Sequence, residues 1–429
     1  MIDAKNIYDH IYHLTETIGI RLTGSQQEWD AAAYLKNEFE KYVTSCSIEQ
    51  FPVVRRTLQE ESLRVCIDGN WERIPIRLFD MSPYTNDEAI KADIVFFDSH
   101  TEYQRSDLSY LKGKAVLHYG GDIEVEEDYR RMMAAKPAFL MMVDTRYTAE
   151  HPISNSLLPA LVRKYGAVPT MGIAFKDAWR LLTKGAKTAE LVAEGTDSMS
   201  VSCNVIAEIK GSDPDGRCIY MGAHMDSVEQ SVGADDNAGG CAILVELAKE
   251  LSAVPHRHTI RLIAFGAEEQ LSLGSAHYVK KHTKEIRDKG LFMCNFDSCT
   301  TAFGWNRITI NAELALRDRI RTAFHNREVF YEENRNLDPC NDAFPFMAAG
   351  VPGMTLMRNN CDKGRFYHHQ PSNTIEMLSA EKAAQLAQAC AELVAEMADG
   401  EKATMQIDDT TKADVAALWV EIFGGWDNE

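Results

Sequence analysis

From about Asn204 onward the chain alternates strand, loop and helix, and this constrains its fold more than any other feature. The strand-like runs are Asn204 to Ile209, Cys218 to Gly222, Thr259 to Phe265, Leu291 to Phe296 and Arg307 to Asn311. Helices are expected over Ala238–Leu251 and Ser379–Met397, with a short packed helix near the end carrying Val415, Leu418, Trp419 and Ile422 at helical spacing. Such alternation predicts an α/β architecture, a three-layer, mostly parallel mixed sheet with helices on both faces. In sheets of this kind functional groups collect beyond the carboxyl ends of the strands.

Those strand ends carry an unusual set of residues. His224 and Asp226 follow the run Cys218 to Gly222, and Asp235 and Asp236 stand just before a helix. Glu268 and Glu269 follow Thr259 to Phe265, Asp297 follows Leu291 to Phe296, and His369 lies in Tyr367-His368-His369-Gln370-Pro371-Ser372. Any one of these alone reads as a solvated surface group. Together, at one sheet edge, they would repel one another and raise each other's pKa unless a cation sat among them. Imidazole and carboxylate donors without a thiolate suit zinc, with manganese or cobalt as alternatives. The donors exceed what one tetrahedral catalytic zinc needs, so two ions sharing a carboxylate are expected. A water on such an ion ionises near pH 7, and a neighbouring carboxylate can take its proton and pass it to a leaving amine. That chemistry is amide hydrolysis.

The rest of the chain narrows the classes. With 64 acidic against 45 basic residues and a net charge of −19, it is a poor partner for nucleic acid or an anionic membrane, and compatible with metals and free amino termini. None of the ten cysteines forms a C-x-x-C pair, which argues against zinc ribbons and thioredoxin-type sites. The N-terminus lacks the plan of a signal peptide and no apolar run reaches spanning length, so a cytoplasmic setting is expected. The segment to about Phe51 reads helix, loop, helix, with Ser25 and Glu28 as a capping box and Trp29, Ala32, Ala33, Leu35, Lys36 and Phe39 at helical spacing. From about Thr57 to Ser200 shorter strands appear, punctuated by glycine and proline: Leu63 to Ile67, Asp93 to Phe97, Ala115 to Tyr119, Phe139 to Val143 and Val168 to Ala174. Helices interrupt them at Glu126 to Ala135 and Lys176 to Thr183. This reads as a smaller β-rich or α/β module, in which His100, His118 and His151 stand alone as structural or solvated histidines.

Several of these pieces, in this order, resemble the co-catalytic zinc exopeptidases of the aminopeptidase Y and aminopeptidase S type, whose wider relatives include glutamate carboxypeptidase, glutaminyl cyclase and the transferrin receptor ectodomain. The pieces are Arg21-Leu-Thr-Gly-Ser25, His224-Met-Asp226-Ser227, Gly233-Ala-Asp-Asp-Asn-Ala-Gly-Gly240, Phe265-Gly-Ala-Glu-Glu-Gln270 with Gly274-Ser275, and Asn295-Phe-Asp297. Asn341-Asp342 with Pro345-Phe346, and His369-x-Pro-Ser372, complete the series. The resemblance implies that His224, Asp236 and Asp297 bind one zinc, and that Asp236 bridges to a second completed by Glu269 and His369. It makes Glu268 the general base and Asp226 the carboxylate that orients a ligand imidazole. The family register selects Asp236 over Asp235 and His369 over His368. Relatives often carry tyrosine where His368 stands, and that side chain can bond the reacting oxyanion. Two positions depart from the pattern: Asn373 replaces a usual acid, and Gly239 a usual serine.

The domain plan expected is a catalytic zinc exopeptidase domain over 1–56 and 201–429, interrupted by an insert over 57–200. The insert is similar to a protease-associated domain at Leu111-Lys-Gly-Lys-Ala-Val-Leu117 and Val168-Pro-Thr-Met-Gly-Ile173. The function implied is a peptide-hydrolysing metallo-exopeptidase, an aminopeptidase in preference, because clustered carboxylates favour a substrate ammonium. Alternatives on the same scaffold are a carboxypeptidase, a deacylase, a glutaminyl-cyclase-like enzyme or a non-catalytic interaction protein.

Overall fold

The structure is a computed structural model. It describes all residues except 87, 124, 146–149, 215, 362–363, 401–404 and 427–429. The chain forms two compact units: Met1–Val53, Met199–Arg365 and Asn373–Glu429 make the first, and Val54–Ser198 with Phe366–Ser372 make the second. Two long strands, Ser45–Ile67 and Thr188–Ile209, carry the chain from one to the other.

The first unit is built on a mixed sheet. Its order is Tyr331–Asn334, Trp305–Asn311, Gly353–Asn359, Gly290–Phe296, Cys218–His224, Thr259–Phe265 and the end of Thr188–Ile209. The four strands Gly353–Asn359, Gly290–Phe296, Cys218–His224 and Thr259–Phe265 run parallel, and antiparallel strands flank them on both sides. All seven residues of Cys218–His224 are buried, as expected of a strand covered on both faces. Its side chains alternate: Ile219, Met221 and Ala223 join one apolar core, while Cys218 and Tyr220 join another on the opposite face. Helices Ala4–Tyr12, Gln26–Phe39, Gly239–Leu251, Leu314–His325 and Ala380–Asp399 supply the first core. Leu273–Lys281, Thr283–Lys289 and Ala343–Ala348 supply the second, and Asp409–Phe423 packs on Ala343–Ala348. The result is the three-layer α/β arrangement expected from the sequence.

Helix Gln26–Phe39 shows half of the expected capping box. The Ser25 hydroxyl accepts from the Glu28 amide at 3.2 Å, but the Glu28 carboxylate does not return to the Ser25 amide. It accepts instead from the Gly24 amide (2.7 Å), the Ser202 hydroxyl (2.7 Å) and the Ala267 amide (3.2 Å). The buried stripe of this helix runs through Ala31, Ala32, Leu35 and Phe39; Ala33 faces solvent.

The second unit has its own sheet. Thr188–Ile209 pairs antiparallel with Ile90–Asp98 through Thr188–Leu191. Ile90–Asp98, Ala115–Tyr119, Phe139–Val143 and Thr170–Ile173 are parallel, and Ile76–Leu78 closes the edge antiparallel. A hairpin joins Leu63–Ile67 to Asn70–Ile74 through Asp68 and Gly69, both at positive φ. Helices Glu126–Ala135, Pro159–Tyr165 and Phe175–Thr183 lie between strands, so this unit is α/β with parallel crossovers. His118, which the sequence leaves as structural or solvated, is buried here, with Nε2 3.2 Å from the Tyr103 hydroxyl and Nδ1 3.3 Å from the Gly120 carbonyl. Among the described residues, no helix is long and apolar enough to cross a membrane.

Candidate metal centre

Strand register explains why residues far apart in sequence meet in the first unit. His224 is level with Phe265 on the neighbouring parallel strand, so Gly266 to Glu269 begin immediately beyond it. On the other side Asn295 is level with Gly222, which brings Asp297 to the height of His224. The Asp297 amide donates to the Leu356 carbonyl at 3.0 Å and holds that end in the sheet.

The loop entering helix Gly239–Leu251 brings the third donor. Gly233 lies at φ +57, and a Cβ there would fall 2.2 Å from the Asp236 carbonyl, so only glycine admits this turn. Asn237 donates from Nδ2 to the Phe296 carbonyl (2.7 Å), and its Oδ1 accepts from the Gly240 amide (3.0 Å), pinning the turn to the end of strand Gly290–Phe296, just before Asp297. One donor atom each from His224, Asp236 and Asp297 lies within 4.8 Å of the others. His224 Nε2 is 3.1 Å from Asp236 Oδ1 and 3.9 Å from both Asp297 Oδ1 and Glu268 Oε2.

Asp226 is the hub behind these groups. Its Oδ1 lies 3.4 Å from His224 Nδ1 and accepts from the Glu268 amide at 3.1 Å. Its Oδ2 accepts from the Glu269 amide (3.1 Å) and the Thr23 hydroxyl (3.2 Å). One carboxylate therefore orients the imidazole, so that Nε2 faces the acids, and also fixes the backbone carrying Glu268 and Glu269. Ala267, just before them, is held at φ +54, a costly conformation for a residue with a side chain. Arg21 buttresses the centre from below. Its buried guanidinium donates to the carbonyls of Leu14, Gly19, Met225, Val232 and Gly233.

The electrostatics show what the centre lacks. Burial alone would lower the His224 pKa, but Glu268, Asp226 and Asp236 outweigh it and raise the value well above the ordinary one. Burial pushes Glu268 far above the usual carboxyl range, with Asp342, Asp297 and Glu269 adding to it. Asp297 is raised by burial and by Asp236, and Asp342 is pushed by burial up to about 7. So many acids around one imidazole cannot all ionise without added positive charge. A divalent cation bound by one histidine and carboxylate oxygens fits this donor set.

His368 and His369 are found in the stretch Phe366–Ser372, which groups with the second unit. Their rings lie 3.8 Å apart, and His369 Nδ1 is 2.7 Å from the Ser154 carbonyl. The first unit thus assembles His224, Asp226, Asp236, Glu268, Glu269 and Asp297, and the second holds His368 and His369.

Residues 204–394 match the sequence profile of peptidase family M28. Over a longer span the chain is similar to aminopeptidase YwaD of Bacillus subtilis, at 25% identity over 433 residues, covering 98% of this chain and 90% of that protein. It is also similar to carboxypeptidase Q of Rattus norvegicus, at 27% identity over 392 residues, covering 86% of this chain and 80% of that protein. Among solved structures, BSAP, a zinc aminopeptidase from Bacillus subtilis, superposes with a TM-score of 0.75 at 25% identity, covering 95% of this chain and 98% of that one.

Three residues at this centre do more than their sequence assigns them. Asp342, in the quoted Asn341-Asp342 motif, is a buried acid whose charge bears on Glu268. Glu28 reads locally as a capping residue, and only the fold brings it to Ala267. Asp235 is buried beside Asp236, with its Oδ1 accepting from the amide and hydroxyl of Thr300.

Proposed function

We propose that the chain is a zinc-dependent aminopeptidase. The observation that carries the reading is the closed cluster of His224, Asp236 and Asp297, donors within 4.8 Å of one another, with the Glu268 carboxylate 3.9 Å from the same imidazole nitrogen. The proposed site holds two ions. His224, Asp236 and Asp297 take one, and Asp236, Glu269 and His369 take the other. The His369 assignment rests on sequence register and is supported by its Nδ1 contact with Ser154, which fixes the tautomer a ligating histidine needs.

Zinc, when bound, supplies Lewis acidity toward the scissile carbonyl and positive charge among the acids. Asp226 keeps the His224 imidazole turned so that Nε2 is the coordinating atom. Glu268 is held by its own amide on Asp226 and by the Ser272 hydroxyl, 3.3 Å from Oε1. Its carboxylate takes the proton of the water that attacks the scissile carbonyl carbon and delivers it to the amine nitrogen that leaves as the C–N bond breaks. His368 is proposed to bond the developing oxyanion. The carboxylates left over favour a substrate with a free ammonium group, which supports attack at the amino end of a peptide. The second unit is proposed to be a protease-associated-like insert. A cytoplasmic setting is proposed as well, supported by the absence of disulfides among the described cysteines.

The likeness to carboxypeptidase Q favours a second reading, removal of the carboxy-terminal residue. One panel decides between them. Purified protein is expected to release the first residue of a free-amine peptide and not of its acetylated form, and to stop on treatment with a chelator. The reverse pattern, or activity that survives complete removal of metal, refutes the proposal.

A further inference from the structure

The two positions at which this chain departs from its family pattern, Gly239 and Asn373, converge on one residue, Asp235. Asp235 is fully buried beside the proposed ligand Asp236. Its Oδ1 accepts two hydrogen bonds from Thr300, one from the amide and one from the hydroxyl, each at 2.7 Å. Its own amide donates to Asn373 Oδ1 at 2.8 Å, and the preceding Ala234 amide donates to the Asn373 carbonyl at 3.2 Å. Thr300 lies three residues beyond Asp297, on the loop that carries the other proposed ligand.

Gly239 makes room for this arrangement. A Cβ at Gly239 would fall 2.5 Å from Thr300 Oγ1 and 2.6 Å from its Cγ2. Thr300 is β-branched and tied at its own amide and hydroxyl, so it cannot yield cheaply. A side chain at 239 would therefore drive Thr300 off Asp235. The neutral Asn373 suits the same design. Its amide oxygen accepts from a backbone N–H next to two carboxylates, where a third acid would add repulsion.

We infer that Asp235 is a positioning residue: through Thr300 it braces the Asp236 loop to the Asp297 loop, while Asn373 holds its backbone amide, and so it sets the spacing of the two carboxylates before an ion arrives. The inference rests on the proposed metal centre. A loose brace lets the ligand loops part, and partners of this kind typically alter metal affinity by about 10–100-fold.

The test uses the full chain, zinc titrated against a chromophoric competitor, and melting of the metal-free protein. Thr300→Val keeps the amide and the shape but loses the hydroxyl, and is expected to weaken zinc binding by about 10-fold or more. Thr300→Ser keeps the hydroxyl and is expected to restore wild-type affinity. Gly239→Ala is expected to weaken binding like Thr300→Val, although alanine improves helix propensity. The Gly239→Ala, Thr300→Val double variant should be no weaker than either single, because both act through one contact. Metal-free Thr300→Val should melt close to the wild type, whereas Gly239→Ala also carries the overlap with Thr300 and is read by its affinity alone. Unchanged affinity in both single variants, equal losses in Thr300→Ser and Thr300→Val, or a Thr300→Val loss matched by a lower melting temperature would each overturn the brace while leaving the metal centre standing. A wild-type chain that binds no zinc would overturn the metal centre and the brace together.

Discussion

Removing the Glu28 carboxylate should destabilise the chain and slow turnover together, because this buried acid joins three separate segments. Its three donors are the Gly24 amide on the loop before helix Gln26–Phe39, the Ser202 hydroxyl on strand Thr188–Ile209, and the Ala267 amide just ahead of Glu268. Each buried donor left without a partner costs about 1–3 kcal/mol. The Ser202 hydroxyl can rotate and recovers part of its loss; the two amides cannot. Glu28→Ala should therefore cost about 3–5 kcal/mol. Glu28→Gln is milder. Its amide oxygen can serve Ser202 and Ala267, but its NH₂ then faces the Gly24 amide, donor against donor, for about 1–3 kcal/mol. Urea unfolding of the metal-free chain at unchanged m-value measures both. In the loaded protein kcat should fall more than KM rises, since the Ala267 amide leads into the proposed base and not into a binding pocket. A Glu28→Ala variant within about 0.5 kcal/mol of wild type, or one whose loss lies entirely in KM, would refute this reasoning.

Two further predictions concern the proposed base and the second unit. Glu268→Gln should lower kcat/KM by about 10²–10⁴ while zinc content measured by emission spectroscopy stays at the wild-type level; full activity would remove Glu268 as the base. His118, in the second unit, has its pKa pushed down by burial to about 4 from an ordinary value of 6.5. Below pH 6.5 the unfolded chain takes up a proton that the folded chain refuses until about pH 4, so stability falls as pH drops through that window, by up to about 3 kcal/mol. His118→Asn should flatten that acid limb in melts recorded from pH 7 to 4; an unchanged slope would show that His118 does not carry it.

The strand ends were the most legible part of this molecule. Runs such as Thr259–Phe265 and Ala115–Tyr119 have the bounds expected from their apolar sequences, because a strand buried on both faces must be apolar along its length. The long strands Ser45–Ile67 and Thr188–Ile209 were legible only at their ends. Their middles mix exposed and half-buried residues and give no continuous apolar signal. The short stretch Phe366–Ser372 groups with the second unit because of contacts such as His369 with Ser154, and no local pattern announces a contact 215 residues distant. The same limit hid Glu28. Ser25 and Glu28 have capping-box spacing and one of its two bonds forms, but the stronger claim on the carboxylate comes from the Gly24 amide and from residues far along the chain.

These hidden residues share a physical task. A parallel sheet fixes its strands but not the loops beyond them, and here those loops carry acids that repel one another. Without a cation the acids are relieved by holding protons or by letting the loops part. Arg21 ties five carbonyls below the centre, Asp226 ties His224 to the Glu268–Glu269 backbone, Glu28 ties that loop to the N-terminal segment, and Asp235 ties the remaining two loops together. Each tie joins a buried ionisable side chain to neutral amides or hydroxyls, an imidazole or carbonyls, so that its polar atoms are satisfied without a partner acid. Holding repelling donors apart from solvent costs stability in the empty protein and returns it when an ion binds, because the ordering is already done. Weakening any one tie should therefore cost metal affinity more than it costs the fold wherever the tie spans two loops, as at Asp235. It should cost the fold as well wherever the tie spans a loop and a core element, as at Glu28.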